Sequence, residues 1–256
     1  MKGLVIAILV MLCTAIQAGE PDKKLHEKCI YPTVMLIGTR IGGVGTGVIV
    51  KSVETEDEKW ENYVMTVGHN LTKTPEHTIE SEDEPPVLVL AKYEYVVRVG
   101  VYENWSELNN AEDHPCKVLY DDDKADIALV KFISDRKMHV ADIVAEPEIY
   151  IGNQVYRMGC GLGEGFRLDV GMLTSLSKSI DRINESTKGT YRVSAPTLPG
   201  DSGGPVFHEY KVFALAEAIS GVRSGPISAA PAYHIVYCVP IKRFMDCEEI
   251  VNHLDK

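Results

Sequence analysis

Apolar and β-branched residues in this chain come in short runs closed off by glycines, a pattern of half-buried strands. Thr33-Val34-Met35-Leu36-Ile37-Gly38 is the first, and Gly45-Thr46-Gly47-Val48-Ile49-Val50 the second, with Arg40-Ile41-Gly42-Gly43 read as a glycine-rich hairpin between them. Further strands are predicted at 63–67, 87–91, 95–101, 127–132, 155–159, 170–176, 191–194, 206–207, 212–219 and 235–239. Residues 51–62 and 72–86 read as polar, acidic insertions, and 134–148, of mixed charge and no strong period, as a connection. The period changes only at the end. Ile241, Phe244, Met245, Val251 and Leu254 fall at helical spacing, predicting one amphipathic helix over 241–255. Short strands at regular intervals with little helix predict an all-β chain of two small antiparallel barrels.

The first eighteen residues stand apart. One cation, Lys2, precedes an apolar stretch from Leu4 to Leu12, with Ala15 and Ala18 after it. This reads as a secretory signal peptide cleaved after Ala18. The run is short for a membrane span, so no stable membrane anchor is expected after cleavage; a retained anchor is the alternative. The domain plan is therefore 1–18 signal peptide, 19–133 first barrel, 134–148 connection and 149–256 second barrel with the C-terminal helix.

Composition narrows the function classes. A chain of 256 residues, 45% hydrophobic and 25% charged, can hold one large β domain or two small ones. A net charge of −11 argues against nucleic acid as a partner, which would need a basic face. Export permits disulfides, but Cys29, Cys116, Cys160, Cys238 and Cys247 are odd in number, so at least one should be unpaired within the chain. No Cys-x-x-Cys pair is present, and no metal or cofactor site is expected.

The chemistry concentrates in Gly200-Asp201-Ser202-Gly203-Gly204-Pro205. Three glycines permit φ > 0 and close backbone approach, which a serine nucleophile needs if neighbouring N–H groups are to converge on one substrate oxygen. A Gly-Pro turn with an incidental serine is the plainer reading, but six specified residues in a row, with two motifs upstream, count against it. This run resembles the nucleophile loop of the chymotrypsin/trypsin-like serine peptidases. Tyr63-Val64-Met65-Thr66-Val67-Gly68-His69-Asn70 is similar to their strand-then-histidine segment, and Lys124-Ala125-Asp126-Ile127-Ala128-Leu129 to their aspartate segment. The strand at 45–50 resembles bacterial HtrA-like and glutamyl-endopeptidase-like members more than animal digestive trypsins, and Asn70 stands where many of the latter carry a cysteine.

The resemblance implies two six-stranded antiparallel barrels with a C-terminal helix, and a cleft holding His69 as general base, Asp126 as its orienting acid and Ser202 as nucleophile. The N–H groups of Gly200 and Ser202 would form the oxyanion hole. Pro196 falls at the base of the specificity pocket, where trypsin-like members place an aspartate, and Thr197 matches a threonine of glutamyl-specific relatives, whose pocket histidine is absent near Ala216. Glu217 either lines the pocket or points away from it, and Ile219 and Ile235 would narrow it, so a small or medium apolar P1 residue is expected. Cleavage after Arg40 would remove the strand at 33–38, so activation by a freed N-terminus is rejected and Asp201 is expected to have another partner. The expected function is an exported serine endopeptidase acting on protein or peptide substrates without a cofactor. A catalytically silent binding module on the same fold, or a self-processing peptidase or esterase, is the alternative.

Overall fold

The computed structural model describes residues 22–38, 43–71, 77–79, 87–89, 95–103, 107–176, 190–224 and 228–255; the signal-peptide assignment lies outside them. A short helix, α1 (Lys23–Leu25), runs on as a π-type turn to Ile30. There follow β1 (Thr33–Gly38), β2 (Val44–Glu54), β3 (Trp60–Thr66), β4 (His77–Ile79), β5 (Val87–Val89), β6 (Tyr95–Glu103), β7 (Glu107–Asp122) and β8 (Ile127–Ser134). All but β4 and β5, which pair with each other, close an antiparallel barrel in the order β1-β2-β3-β8-β7-β6.

The second half comprises β9 (Asp142–Ile143), β10 (Gln154–Gly159), β11 (Arg167–Leu176), β12 (Tyr191–Ser194), β13 (Pro205–His208), β14 (Lys211–Ser224) and β15 (Ser228–Pro240). β13-β10-β11-β12-β15-β14 forms a ring of six closed by the β13–β14 pairing, with β9 added in parallel to β14 as a seventh strand. The two expected six-stranded antiparallel barrels are present. The strand at 142–143 lies inside the stretch read as a plain connection.

Strand alternation sorts the apolar residues into three cores. Val34, Leu36, Ile49, Val64, Ala128, Val130 and Phe132 fill the first barrel. Val155, Leu173, Val193, Phe213, Ala216, Val236 and Cys238 fill the second. Alternate residues of the same strands, Val48, Met65, Ile127 and Leu129 from one side and Met158, Phe207, Leu215 and Val239 from the other, meet in a third core between the barrels. Phe244 and Ile250 complete that seam, so the C-terminal segment is part of what fixes the two barrels against each other.

Three expectations need correction. The C-terminal helix is two helices, α2 (Ile241–Met245) and α3 (Glu248–Leu254), because Cys247 takes an extended backbone that interrupts the helical path between them. β7 is a strand of 16 residues whose polar sequence has no period; it forms because both neighbours, β6 and β8, offer it ladders. The disulfides that export would permit are not seen: all five described cysteines are free, and Cys29, Cys160 and Cys238 are buried.

Residues 22–32 are held as part of the body. Thr33 Oγ1 donates to the Cys29 carbonyl at 2.8 Å, Ile49 N–H to the Pro32 carbonyl at 2.8 Å, and Tyr210 Oη to Asp22 at 2.7 Å. Phe244→Ala is expected to destabilise the protein by about 3–5 kcal/mol, because it opens a cavity in the inter-barrel core. Urea denaturation followed by tryptophan fluorescence measures it, and a change under 1 kcal/mol would contradict that role for α2.

Candidate active site

Asp126 sits at the end of a tight turn between β7 and β8. Asp122 Oδ1 accepts the N–H groups of Lys124 at 2.8 Å and Ala125 at 3.0 Å, which winds the chain back on itself. Asp126 then takes a left-handed φ of 53°, a conformation that Asp tolerates better than most residues and that is held only where surroundings enforce it. From the other half of the molecule, Arg243 of α2 donates to the Ala125 carbonyl at 2.7 Å and pins the turn.

His69 lies in a single 3-10 turn (Gly68–Asn70) directly after β3. Its backbone N–H donates to Asp126 Oδ1 at 2.9 Å, and its Nδ1 lies 3.1 and 3.0 Å from Oδ1 and Oδ2. With a carboxylate as acceptor the ring proton belongs on Nδ1, which makes Nε2 the basic nitrogen. Burial of the ring opposes protonation, but the Asp126 hydrogen bond and charge and the charge of Glu217 outweigh it, so the imidazole is more basic than an ordinary histidine.

Ser202 is presented by the loop before β13, and the first barrel holds that loop directly. Its carbonyl accepts the Thr46 N–H at 2.7 Å and the Asn70 side-chain amide at 2.7 Å, and Thr46 Oγ1 donates to the Gly200 carbonyl at 2.7 Å. Gly200 and Gly203 have φ of 98° and 81°, and a Cβ on Gly203 would overlap the Thr46 carbonyl and the Thr66 hydroxyl. Only glycine fits there. Among the described residues no acceptor takes the N–H of Gly200 or Ser202. Ser202 Oγ donates to the Glu217 carbonyl at 3.3 Å.

Asp201 points the other way, into the second barrel, where it is completely buried. Its Oδ2 lies 3.0 Å from Nη1 of the equally buried Arg157 and 3.0 Å from Nη2 of Arg167, and it accepts the Leu198 N–H at 2.7 Å. Arg157 Nη2 also bonds Asp169 and the Pro196 carbonyl. The partner of Asp201 is thus an internal arginine pair, which fixes the serine loop from behind without a freed N-terminus.

Beside Ser202 lies a cavity of about 220 Å³ lined by Thr197, Leu198, Pro199, Ala216, Glu217 and Val236. Two expected lining residues are displaced. Pro196 is exposed, its carbonyl turned to Arg157, and Val236 takes the place expected of Ile235, because Ile235 falls on the opposite face of β15 from the buried Val236. The side chain of Ile219 lies outside the described residues. Cys160, buried behind the loop, is no rival nucleophile: burial pushes its thiol up to about 12.

Sequence reasoning did not single out Thr46, Arg157, Asn70 or Arg243 for these contacts. Arg157 carried a signal, being a charge inside the apolar run Val155-Tyr156-Arg157-Met158, where a strand cation needs a buried partner. Asn70 stands where many digestive trypsins carry a cysteine; its amide here joins the two barrels at Ser202.

Arg157→Ala leaves Asp201 buried with half its countercharge and is expected to cost about 3–5 kcal/mol. A urea midpoint unchanged from wild type would remove the arginine pair from this account.

No group of three or more His, Cys, Asp or Glu among the described residues could hold a metal ion. Compared with known proteins, the sequence profile described as "Trypsin-like peptidase domain" matches residues 45–214, a span that contains His69, Asp126 and Ser202. The chain is 25% identical over 154 residues to "Serine protease Do-like HtrB" of Bacillus subtilis, which covers 57% of this chain and 31% of that protein, so it spans about a third of that relative. The fold is similar to the crystal structure of Deg5, with a TM-score of 0.62 at 15% identity over 87% of this chain and 89% of that one. It is also similar to the HtrA-type protease AlgW, with a TM-score of 0.63 at 17% identity over 90% of this chain and 63% of that one. The profile match covers most of the chain and reaches into both barrels, and on it the chain belongs to the trypsin-like peptidase family.

Proposed function

We propose that this chain is an exported serine endopeptidase that hydrolyses peptide bonds through Ser202, His69 and Asp126 by way of an acyl-enzyme. One observation supports the reading: His69, hydrogen-bonded to Asp126 in the first barrel, adjoins Asn70, whose amide holds the carbonyl of Ser202 in the second barrel, and the N–H groups of Gly200 and Ser202 have no acceptor among the described residues.

Ser202 Oγ attacks the scissile carbonyl as His69 Nε2 takes its proton. Asp126 keeps the imidazole in the tautomer that can accept and stabilises the imidazolium that results. Oxyanion charge builds where the Gly200 and Ser202 N–H groups converge, and two oriented donors there are worth several kcal/mol in the transition state. His69 then protonates the leaving amine, and water, activated by the same imidazole, releases the acyl group. The chemistry needs no metal or cofactor. The signal peptide at 1–18 and the four-part domain plan belong to the same proposal, as does a protein or peptide substrate.

The cavity beside Ser202 is smaller than the ~300–1,000 Å³ of drug-sized ligand sites, and Leu198, Pro199, Ala216 and Val236 make much of its wall apolar. A small or medium apolar P1 side chain fits it. Profiling with a peptide library checks this, and a dominant preference for Lys or Arg would contradict it.

A fluorophosphonate probe is expected to label wild-type protein at Ser202 and to leave Ser202→Ala unlabelled, with turnover of a peptide substrate falling about a millionfold in that variant. Folded wild-type protein that never labels would make the chain a silent binding module. Because His69 binds its proton more tightly than usual, kcat/KM should rise with pH as that proton is lost, with a midpoint above the ordinary 6.5. A midpoint at or below 6.5 would contradict the stated electrostatics.

A further inference from the structure

Glu217 is the extra residue of a β-bulge. Ala216 pairs with Cys238 and Ala218 with Tyr237, so Glu217 faces no partner across the β14–β15 ladder. Bulges of this kind re-aim a side chain and recur beside active sites. The consequence here is specific. The Glu217 carbonyl accepts the Ser202 hydroxyl at 3.3 Å, while the residue is 95% buried and its Oε2 has no hydrogen-bond partner among the described residues. An acid buried in that state destabilises the fold.

The charges that act on this carboxyl are those of the catalytic side of the molecule. The charges of Asp126 and His69 act on it from the first barrel and that of Arg243 from α2; on its own sheet the titratable groups opposite the bulge are the Cys238 thiol and Tyr237 of β15. His69 in turn responds to Glu217 as well as to Asp126. Two buried carboxyl groups therefore act on one imidazole, Asp126 by direct hydrogen bond and Glu217 through its charge.

Resting on the triad reading above, we propose that Glu217 is a positioning residue of the catalytic site: from the bulge, its carboxyl sets the charge against which His69 gains and loses its proton, alongside Asp126. Burial first, and then the negative charge of Asp126, push the Glu217 carboxyl up to about 7, with Arg243 and His69 opposing. Each group feels the other's charge: Glu217 raises the affinity of His69 for its proton, and His69 lowers that of Glu217. As pH rises, loss of the Glu217 proton leaves a negative charge that holds the His69 proton longer. That same charge stabilises the imidazolium formed during acyl transfer. Glu217 has two opposed effects on the reaction: it delays the appearance of free base, and it strengthens the transition state once base is available.

The two effects make Glu217→Gln diagnostic, and the amide keeps shape while removing charge. In the full chain, kcat/KM for a chromogenic peptide and the rate of fluorophosphonate inactivation are measured from pH 5 to 9. The variant is expected to move the acid limb of both profiles down by about half to one pH unit, while the plateau falls roughly 3- to 10-fold. The His69 Nδ1 proton resonance, followed by NMR without substrate, should titrate at correspondingly lower pH. An acid limb and an imidazole titration that both coincide with wild type would overturn the proposal. So would a variant changed only in its preference for basic over apolar P1 residues, since that makes Glu217 a wall of the specificity pocket. Failure of the triad reading looks different: wild-type protein would then show no labelling of Ser202 at any pH.

Discussion

The active site depends on one contact set: the Ser202 carbonyl, gripped by Thr46 N–H and the Asn70 amide. Ser202 belongs to the second barrel and His69 to the first, so their meeting is a problem of registering two separate closed sheets. The apolar seam of Val48, Met65, Leu129, Met158, Leu215 and Phe244 supplies the attraction but little direction. Direction comes from hydrogen bonds. Thr46 contributes three at once: its N–H to Ser202, its hydroxyl to Gly200, and its oxygen accepting the Cys160 N–H at 3.0 Å. Asn70, adjacent to His69 in sequence, makes His69 and the Ser202 loop neighbours by covalent connection as well as by packing.

Charge supplies the second constraint. The serine loop is held from the front by these neutral contacts and from behind by the Asp201–Arg157–Arg167 cluster, in which the carboxylate and Arg157 are both removed from water. Buried pairs of this kind add little net stability over apolar packing, but they punish any displacement of one partner, which suits a loop that must hold a single shape. On the other face, Asp126 bonds His69 while the charge of Glu217 acts on it, and Arg243, whose charge acts on Glu217, donates to the Ala125 carbonyl. The C-terminal helices therefore serve the site as well as the core.

Much of this was legible in the sequence, and the parts that were not share a cause. Glycine-bounded runs gave most of the strands because their burial alternates, and the loop glycines were readable because their φ values admit nothing else. β7 was not readable, since its residues are polar and its strand form is imposed by neighbours distant in sequence. Val236 rather than Ile235, and Glu217 between its two possible directions, turn on local register. The bulge between Ala216 and Ala218 is decided by the β14–β15 pairing, which no local pattern encodes. The break at Cys247 was not readable, since Phe244, Val251 and Leu254 keep one helical stripe across it. Contacts between halves, such as Arg243 with Ala125, leave no trace in either segment alone.

The central claim is that the inter-barrel contacts place Ser202 between a base from one barrel and two N–H donors of its own. The structure of the fluorophosphonate adduct tests it most directly. The account expects phosphorus bonded to Ser202 Oγ, with the phosphoryl oxygen about 2.7–3.1 Å from the N–H groups of Gly200 and Ser202 and the contacts of Thr46 and Asn70 to the Ser202 carbonyl retained. An adduct on another residue, or a phosphoryl oxygen turned away from both donors, would contradict it.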